Sequence, residues 1–111
     1  MRTADYRKVY AAGRRRNLEW LLVFSLNTGQ AASRVGLTVP RTFGPAVERN
    51  RMKRRLREAV RKSWKDLGPG WDIVLHPRRA GLTMEFSRME ETIRKLFQSC
   101  ARTRDEREPD L

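Results

Sequence analysis

The apolar positions of this chain alternate between a helical and an extended period. In residues 4–12, "ADYRKVYAA", Tyr6, Val9 and Tyr10 stand at i, i+3 and i+4 and predict a short helix with one apolar face. Asp5 suits the positive end of its dipole, and Gly13 is placed to stop it. A basic knot, Arg14 to Arg16, follows. Over 18–26, "LEWLLVFSL", the period drops to two. Trp20, Leu22, Phe24 and Leu26 point to one side of a predicted strand; Leu21, Val23 and Ser25 point to the other. Both sides are largely apolar, so both are expected to be covered. A turn centred on Gly29 leads into a second strand, 34–39, "RVGLTV", which Pro40 ends. The short loop predicts that these two strands pair antiparallel.

The helical period then returns. Pro45 fits a first helical turn, and Gly68 and Pro69 mark the stop. At about 100° per residue from Met52, the residues Met52, Leu56, Ala59, Val60, Ser63 and Trp64 lie between about −20° and 120°. Arg49 and Lys53 fall inside this arc and are expected to reach out from its edge. The remaining basic residues occupy the opposite side. A disordered basic run has no use for such a stripe, so a packed helix is predicted, with Met52, Leu56, Val60 and Trp64 buried. "WDIVLH", 71–76, reads as a strand and "PRRAG" as a turn. Residues 83–100 read as a second long helix, with Thr83 as N-cap and Phe86, Met89, Ile93, Leu96 and Phe97 as its apolar face. No internal repeat or linker interrupts the chain. The reading is one α+β domain over residues 1–100, an α/β sandwich of order α-β-β-α-β-α, followed by a polar tail, 101–111, expected to fray.

Charge changes the picture more than composition does. The 111 residues carry a net charge of +12. Between Arg49 and Lys65 there are nine Arg/Lys and one Glu, a net +8, so about two-thirds of the total sits on one helix. A helix face that serves only solubility intersperses both signs. A face of one sign draws in polyanions, and guanidinium forks, six against three Lys here, suit phosphate and base stacking. Nucleic acid is the expected partner. An anionic membrane surface would instead need an accessible apolar face. No second helix precedes the basic one at helix-turn-helix spacing, and Tyr6, Tyr10 and Phe24 favour RNA or a single strand. The residues alone leave open whether those three rings stack on bases or belong to the core.

Recognisable chemistry is sparse. One Cys and one His allow neither a disulfide framework nor a zinc site, and suit a reducing cytosol. The longest apolar run, Trp20 to Phe24, has five residues, against the ~20 of a membrane span, and the N-terminus has no apolar signal core. A cytoplasmic protein is expected. "GPGWD" is too short for a phosphate-binding loop, Glu90 and Glu91 are adjacent and so point apart, and Cys100 reads as an inert thiol. No catalytic residue and no metal ligand is predicted.

"RVGLTVPRTFGPAVERNRMKRRLRE", 34–58, resembles the signature of the protein subunit of bacterial ribonuclease P. The likeness rests on Arg34, Gly36, Leu37, Val39, Gly44, Ala46, Val47, Arg49-Asn50-Arg51, Lys53, Arg54 and Arg57. "DYRKVYAAG" is similar to the family's first helix, "LLVFSL" to its first strand, and the likeness extends over residues 4–98. It implies a small, mainly antiparallel sheet with helices, of order α-β-β-(β)-α-β-α, containing a left-handed β-α-β crossover against the usual rule. It implies a ribonuclease P accessory subunit in endonucleolytic removal of the 5′ leader of precursor tRNA. Catalysis would belong to a large RNA that requires magnesium, with one protein per RNA. Arg49, Asn50, Arg51, Lys53, Arg54, Arg57 and, on the same helix, Arg61 would bind that RNA. Tyr6, Tyr10, Leu22, Phe24, Thr38 and Arg41 would line a cleft for the leader. Some positions depart from the pattern. Only Arg2 precedes Asp5 where further basic residues are common, Pro40-Arg41-Thr42 replaces Ser-Lys-Lys, and Pro45 replaces a common Asn. Tyr6 and Tyr10 stand where Phe is usual.

Overall fold

The computed structural model describes residues 1–107, with the backbone alone for 104–107; the rest of the predicted tail, 108–111, lies outside the described residues. The elements are α1 (Thr3–Ala12), β1 (Arg14–Leu18), β2 (Leu21–Asn27), β3 (Arg34–Leu37), α2 (Ala46–Ser63), β4 (Trp71–Pro77) and α3 (Phe86–Arg107). The chain is thus the expected mixed α/β type.

The predicted strand 18–26 is two strands. It breaks at Glu19-Trp20, and β1 runs back through the basic knot, from Leu18↔Leu21 to Arg14↔Ser25. "RRRNL" carries one apolar residue, so no alternation betrays it; as an edge strand it needs little apolar surface. Gly13 enters this strand with its Cα pressed on the Val9 and Ser25 carbonyls, where a side chain would collide. Arg78 holds the two-residue turn: its N–H donates to the Trp20 carbonyl at 2.7 Å and its guanidinium to the Leu18 carbonyl at 2.8 Å.

The strand order is β1-β2-β4-β3. This corrects the predicted pairing of the strands at 18–26 and 34–39, since β4 lies between β2 and β3. It is antiparallel to β2 and parallel to β3. Six of its seven residues are buried. A strand covered on both faces belongs in the middle, whereas β3 is short and takes an edge. Parallel β3 and β4 require a crossover, and α2 provides it.

On one face of the sheet, Leu21, Val23, Ile73 and Leu75 meet Met52, Leu56 and Ala59 of α2 and Met89, Ile93, Leu96 and Phe97 of α3 in one core. The buried stripe of α2 (Met52, Leu56, Ala59, Ser63) spans only about −20° to 40° on the helical wheel. Val60 is half-buried, and Trp64 is 44% exposed, contrary to the prediction of burial. The helix ends at Ser63, and a 3-10 turn, Trp64–Asp66, carries the indole off the stripe. Helix α3 begins at Phe86, so Thr83 is not its N-cap; the Glu85 carbonyl accepts the first helical N–H groups instead. A 3-10 turn at Arg79–Leu82 occupies the intervening chain. α3 continues past Cys100 to Arg107. On the opposite face of the sheet, α1 buries Val9 near fully buried Val74.

Candidate nucleic-acid interface

Packing sorts the cations of α2. On the flank toward α3, Arg55 donates to the Met84 carbonyl, and Lys62 approaches Glu90 at 3.8 Å and lies over the Phe86 ring at 5.5 Å. At the N-terminal end, Glu48 takes both guanidinium nitrogens of Arg79, at 2.9 and 3.1 Å, and Arg79 also donates to the Phe43 carbonyl at 2.6 Å. That bond holds the Glu48 carboxyl below its usual range. On these flanks Lys62 and Arg79 have acidic partners, whereas Arg55 is held by a carbonyl alone.

The sequence-predicted residues take the other side. Asn50, Arg51, Arg54, Arg57 and Arg61 are exposed; Arg49 and Lys53 are half-buried. Arg61 is bonded to Glu58, one turn away, which holds that carboxyl low and raises the guanidinium. Among the described residues, Arg49, Arg51, Lys53, Arg54 and Arg57 have no acidic partner. Arg49 Nε is buried and unbonded within the protein.

Of the residues predicted to line a cleft, Tyr10, Phe24 and Thr38 come together where α1 packs on the sheet. Tyr10 meets Phe24 edge-on at 4.8 Å, and its hydroxyl lies 3.2 Å from Thr38 Oγ1. Tyr10 is 41% exposed and Phe24 half-buried. The rings therefore pack on one another while still presenting surface. Tyr6 lies over Gly36, whose missing side chain leaves room for its hydroxyl. Leu22 is two residues from Phe24 on the same face of β2. Arg41 is exposed on the 3-10 turn Arg41–Phe43, and among the described residues no ion pair holds it.

The two predicted regions adjoin. A groove of about 400 Å³ runs along the open edge of β3, between Tyr6 on one side and Lys53, Arg57 and Arg61 on the other, with Val35 and Leu37 as its floor.

Sequence reasoning missed what positions α1. Arg34 donates to Asp72 through Nε (3.0 Å) and Nη2 (2.7 Å), and to Asp5 through Nη1 (3.2 Å). Asp72 is only 3% exposed. Its bond is the main cause that raises the Arg34 guanidinium. Asp5 also accepts the Arg2 backbone N–H at 2.9 Å, and that bond above all lowers its carboxyl. One guanidinium thus joins α1, β3 and β4. An Asp inside an apolar strand was the available signal, since a buried carboxylate demands a partner. His76 was missed as well: it is the cross-strand neighbour of Leu22 and half-buried beside the cleft.

Burial pushes the Cys100 thiol up to about 11, against the pull of Arg16 and Arg14, so it is protonated at neutral pH. Among the described residues, no three His, Cys, Asp or Glu side chains gather to hold a metal ion, and no helix is long and apolar enough to cross a membrane.

Comparison with known proteins gives the same answer throughout. The sequence model of the Ribonuclease P family matches residues 1–101. A ribonuclease P protein component from Symbiobacterium thermophilum is 39% identical over 94 residues, covering 84% of this chain and 82% of its own. One from Herpetosiphon aurantiacus is 34% identical over 109 residues, covering 95% and 85%. The solved ribonuclease P protein from Thermotoga maritima superposes with a TM-score of 0.79 at 29% identity, over 89% of this chain and 94% of that one.

Proposed function

Because the chain belongs to the bacterial ribonuclease P protein family, and so to tRNA processing, we propose that it binds both RNAs of the reaction and leaves catalysis to one of them. The exposed side of α2, from Arg49 to Arg61, neutralises phosphates of the catalytic RNA. The groove along β3 leads from that contact to Tyr6, Tyr10, Leu22, Phe24 and Thr38, where bases of the single-stranded 5′ leader stack. Arg41 neutralises a leader phosphate beside them. The observation that carries this reading is the adjacency: the half-buried Tyr6 ring faces Lys53 and Arg57, which have no acidic partner among the described residues, across one groove at the β3 edge.

This chain's part is to hold and orient. Its residues keep the precursor's leader at a fixed distance from the RNA–RNA contact, which lowers the entropic cost of reaching the cleavage geometry. One protein per RNA suffices for this. The magnesium ions that the holoenzyme requires would serve the catalytic RNA.

The test is reconstitution. The protein is mixed with a ribonuclease P RNA at low magnesium, and cleavage of precursor tRNA is followed. Cleavage at the 5′ end of the mature tRNA should need the RNA and be promoted by the protein. Cutting by the protein alone, or no effect of adding it, would refute the proposal. Arg51→Ala and Arg54→Ala should each lower the salt dependence of RNA affinity by about one unit of log–log slope. Unchanged slopes in both would remove α2 as the interface.

A further inference from the structure

Trp64 is an exposed indole in a chain that buries its other two. It is 44% exposed, against 6% for Trp20 and 4% for Trp71. Phe97 touches it edge-on at 6.5 Å and leaves the remainder of the ring facing outward. It opens the 3-10 turn Trp64–Asp66 directly after α2, three residues beyond Arg61, and so stands at the C-terminal end of the cationic helix.

Beside the indole is a shallow hollow of about 290 Å³, walled by Ala31, Ala32, Gly68 and Pro69, with Lys65 as its charged member. Among the described residues no Asp or Glu lines it. Lys65 has no acidic partner among the described residues. An apolar ring with small neighbours and one-sided positive charge suits a partner that is flat, aromatic and anionic along its backbone. Unpaired nucleotides have that chemistry: the base stacks and the phosphate meets the cation. A protein partner of ordinary charge would have to cover the cations without neutralising them.

We infer that Trp64 stacks on an unpaired base of the ribonuclease P RNA, with Lys65 on the adjoining phosphate. This rests on the reading that α2 faces that RNA, and it extends the interface beyond Arg61 to the C-terminal end of the helix.

Tryptophan emission of the intact protein, titrated with ribonuclease P RNA, tests it. RNA should quench the emission and shield it from acrylamide, because the other two indoles are buried beforehand. Trp64→Leu keeps an apolar contact with Phe97 but has no π face. It should weaken RNA binding about 5- to 150-fold, with the salt slope unchanged because no cation is lost. Trp64→Phe should restore most of the affinity, and Arg57→Ala should lower the slope. If Trp64→Leu binds like the parent while Arg57→Ala lowers the slope, α2 is the interface and Trp64 is not part of it. Unchanged acrylamide access at RNA saturation overturns the inference too. So does shielding that appears with protein concentration alone, which sedimentation would trace to a second copy on the patch. Failure of the parent protein to bind RNA sinks the proposed function itself. If Trp64→Leu does not fold, the emission measurements on the parent decide.

Discussion

Replacing Arg34 with Ala should destabilise the protein more than replacing its buried partner, Asp72, with Asn. Arg34 makes two bonds to a carboxylate that is 3% exposed and one to Asp5. Without Arg34, the buried Asp72 carboxyl loses the partner that now satisfies both of its oxygens. Stripping one partner from a buried pair costs about 3–5 kcal/mol. The Arg34 side chain is itself 39% exposed, so solvent screens the pair and the low end, about 3 kcal/mol, is expected. In Asp72→Asn the amide oxygen still accepts a bond, and Arg34 can turn to water and Asp5. The loss should be about 1 kcal/mol. Urea unfolding followed by far-UV circular dichroism measures both, with unchanged m-values marking true stability changes. The double variant should cost less than the sum of the two. Because Arg34 also ties α1 to the sheet, Arg34→Ala should weaken binding of leader-bearing precursor while mature tRNA is unaffected. If Asp72→Asn costs as much as Arg34→Ala, or Arg34→Ala costs under 1 kcal/mol, the carboxylate was not relying on Arg34.

Leu56 is fully buried between α2 and the sheet, and Leu56→Ala should cost about 2–5 kcal/mol; a negligible loss in thermal or urea unfolding would mean that the core closes without α2. Gly36→Ala places a methyl group where the Tyr6 hydroxyl and the Met1 methyl now lie, so Tyr6 must move; precursor affinity should fall as in Tyr6→Ala, by about 1–3 kcal/mol, and an unchanged affinity would place Tyr6 outside the leader site. Glu48 and Asp5 have carboxyls below their ordinary values of 4.5 and 3.8, so their stabilising bonds are complete above those values and are lost as pH falls through the lower folded-state ones. Glu48→Gln should therefore flatten the decline of stability below about pH 4.5; an identical acid limb in an unfolding series would show the Arg79 bond to be of no consequence.

Local chemistry made much of the fold legible. The period in α1, α2 and α3 identified the helices and, for α3, most of the buried face; α1 buries only Val9, and α2 a narrower stripe than the period suggests. Where the structure differed, the deciding contact lay far along the chain. β1 has no apolar pattern; its backbone bonds to β2 make it a strand. The loop after β2 suggested a hairpin, yet β4 enters between β2 and β3 because it alone is apolar on both faces. Trp64 seemed part of the buried stripe by angle. The actual stripe is narrower, since the neighbouring flank faces the open edge of β3 instead of protein.

The candidate site divides along the same line. The cationic face of α2 was readable because a helix fixes the relative direction of residues close in sequence. The cleft was not, because Tyr10, Phe24 and Thr38 meet only when α1 crosses the sheet, and Arg34 bonded to Asp72 and Asp5 sets that crossing. By itself, then, the sequence determined which segments carry charge, which carry rings and which must be buried, all matters of neighbours within one or two turns. The tertiary structure decided that Tyr6 and the cations of α2 meet across the β3 edge, and which of those cations find acidic partners. Those outcomes depend on strand order and on pairings between distant residues, which no local period encodes.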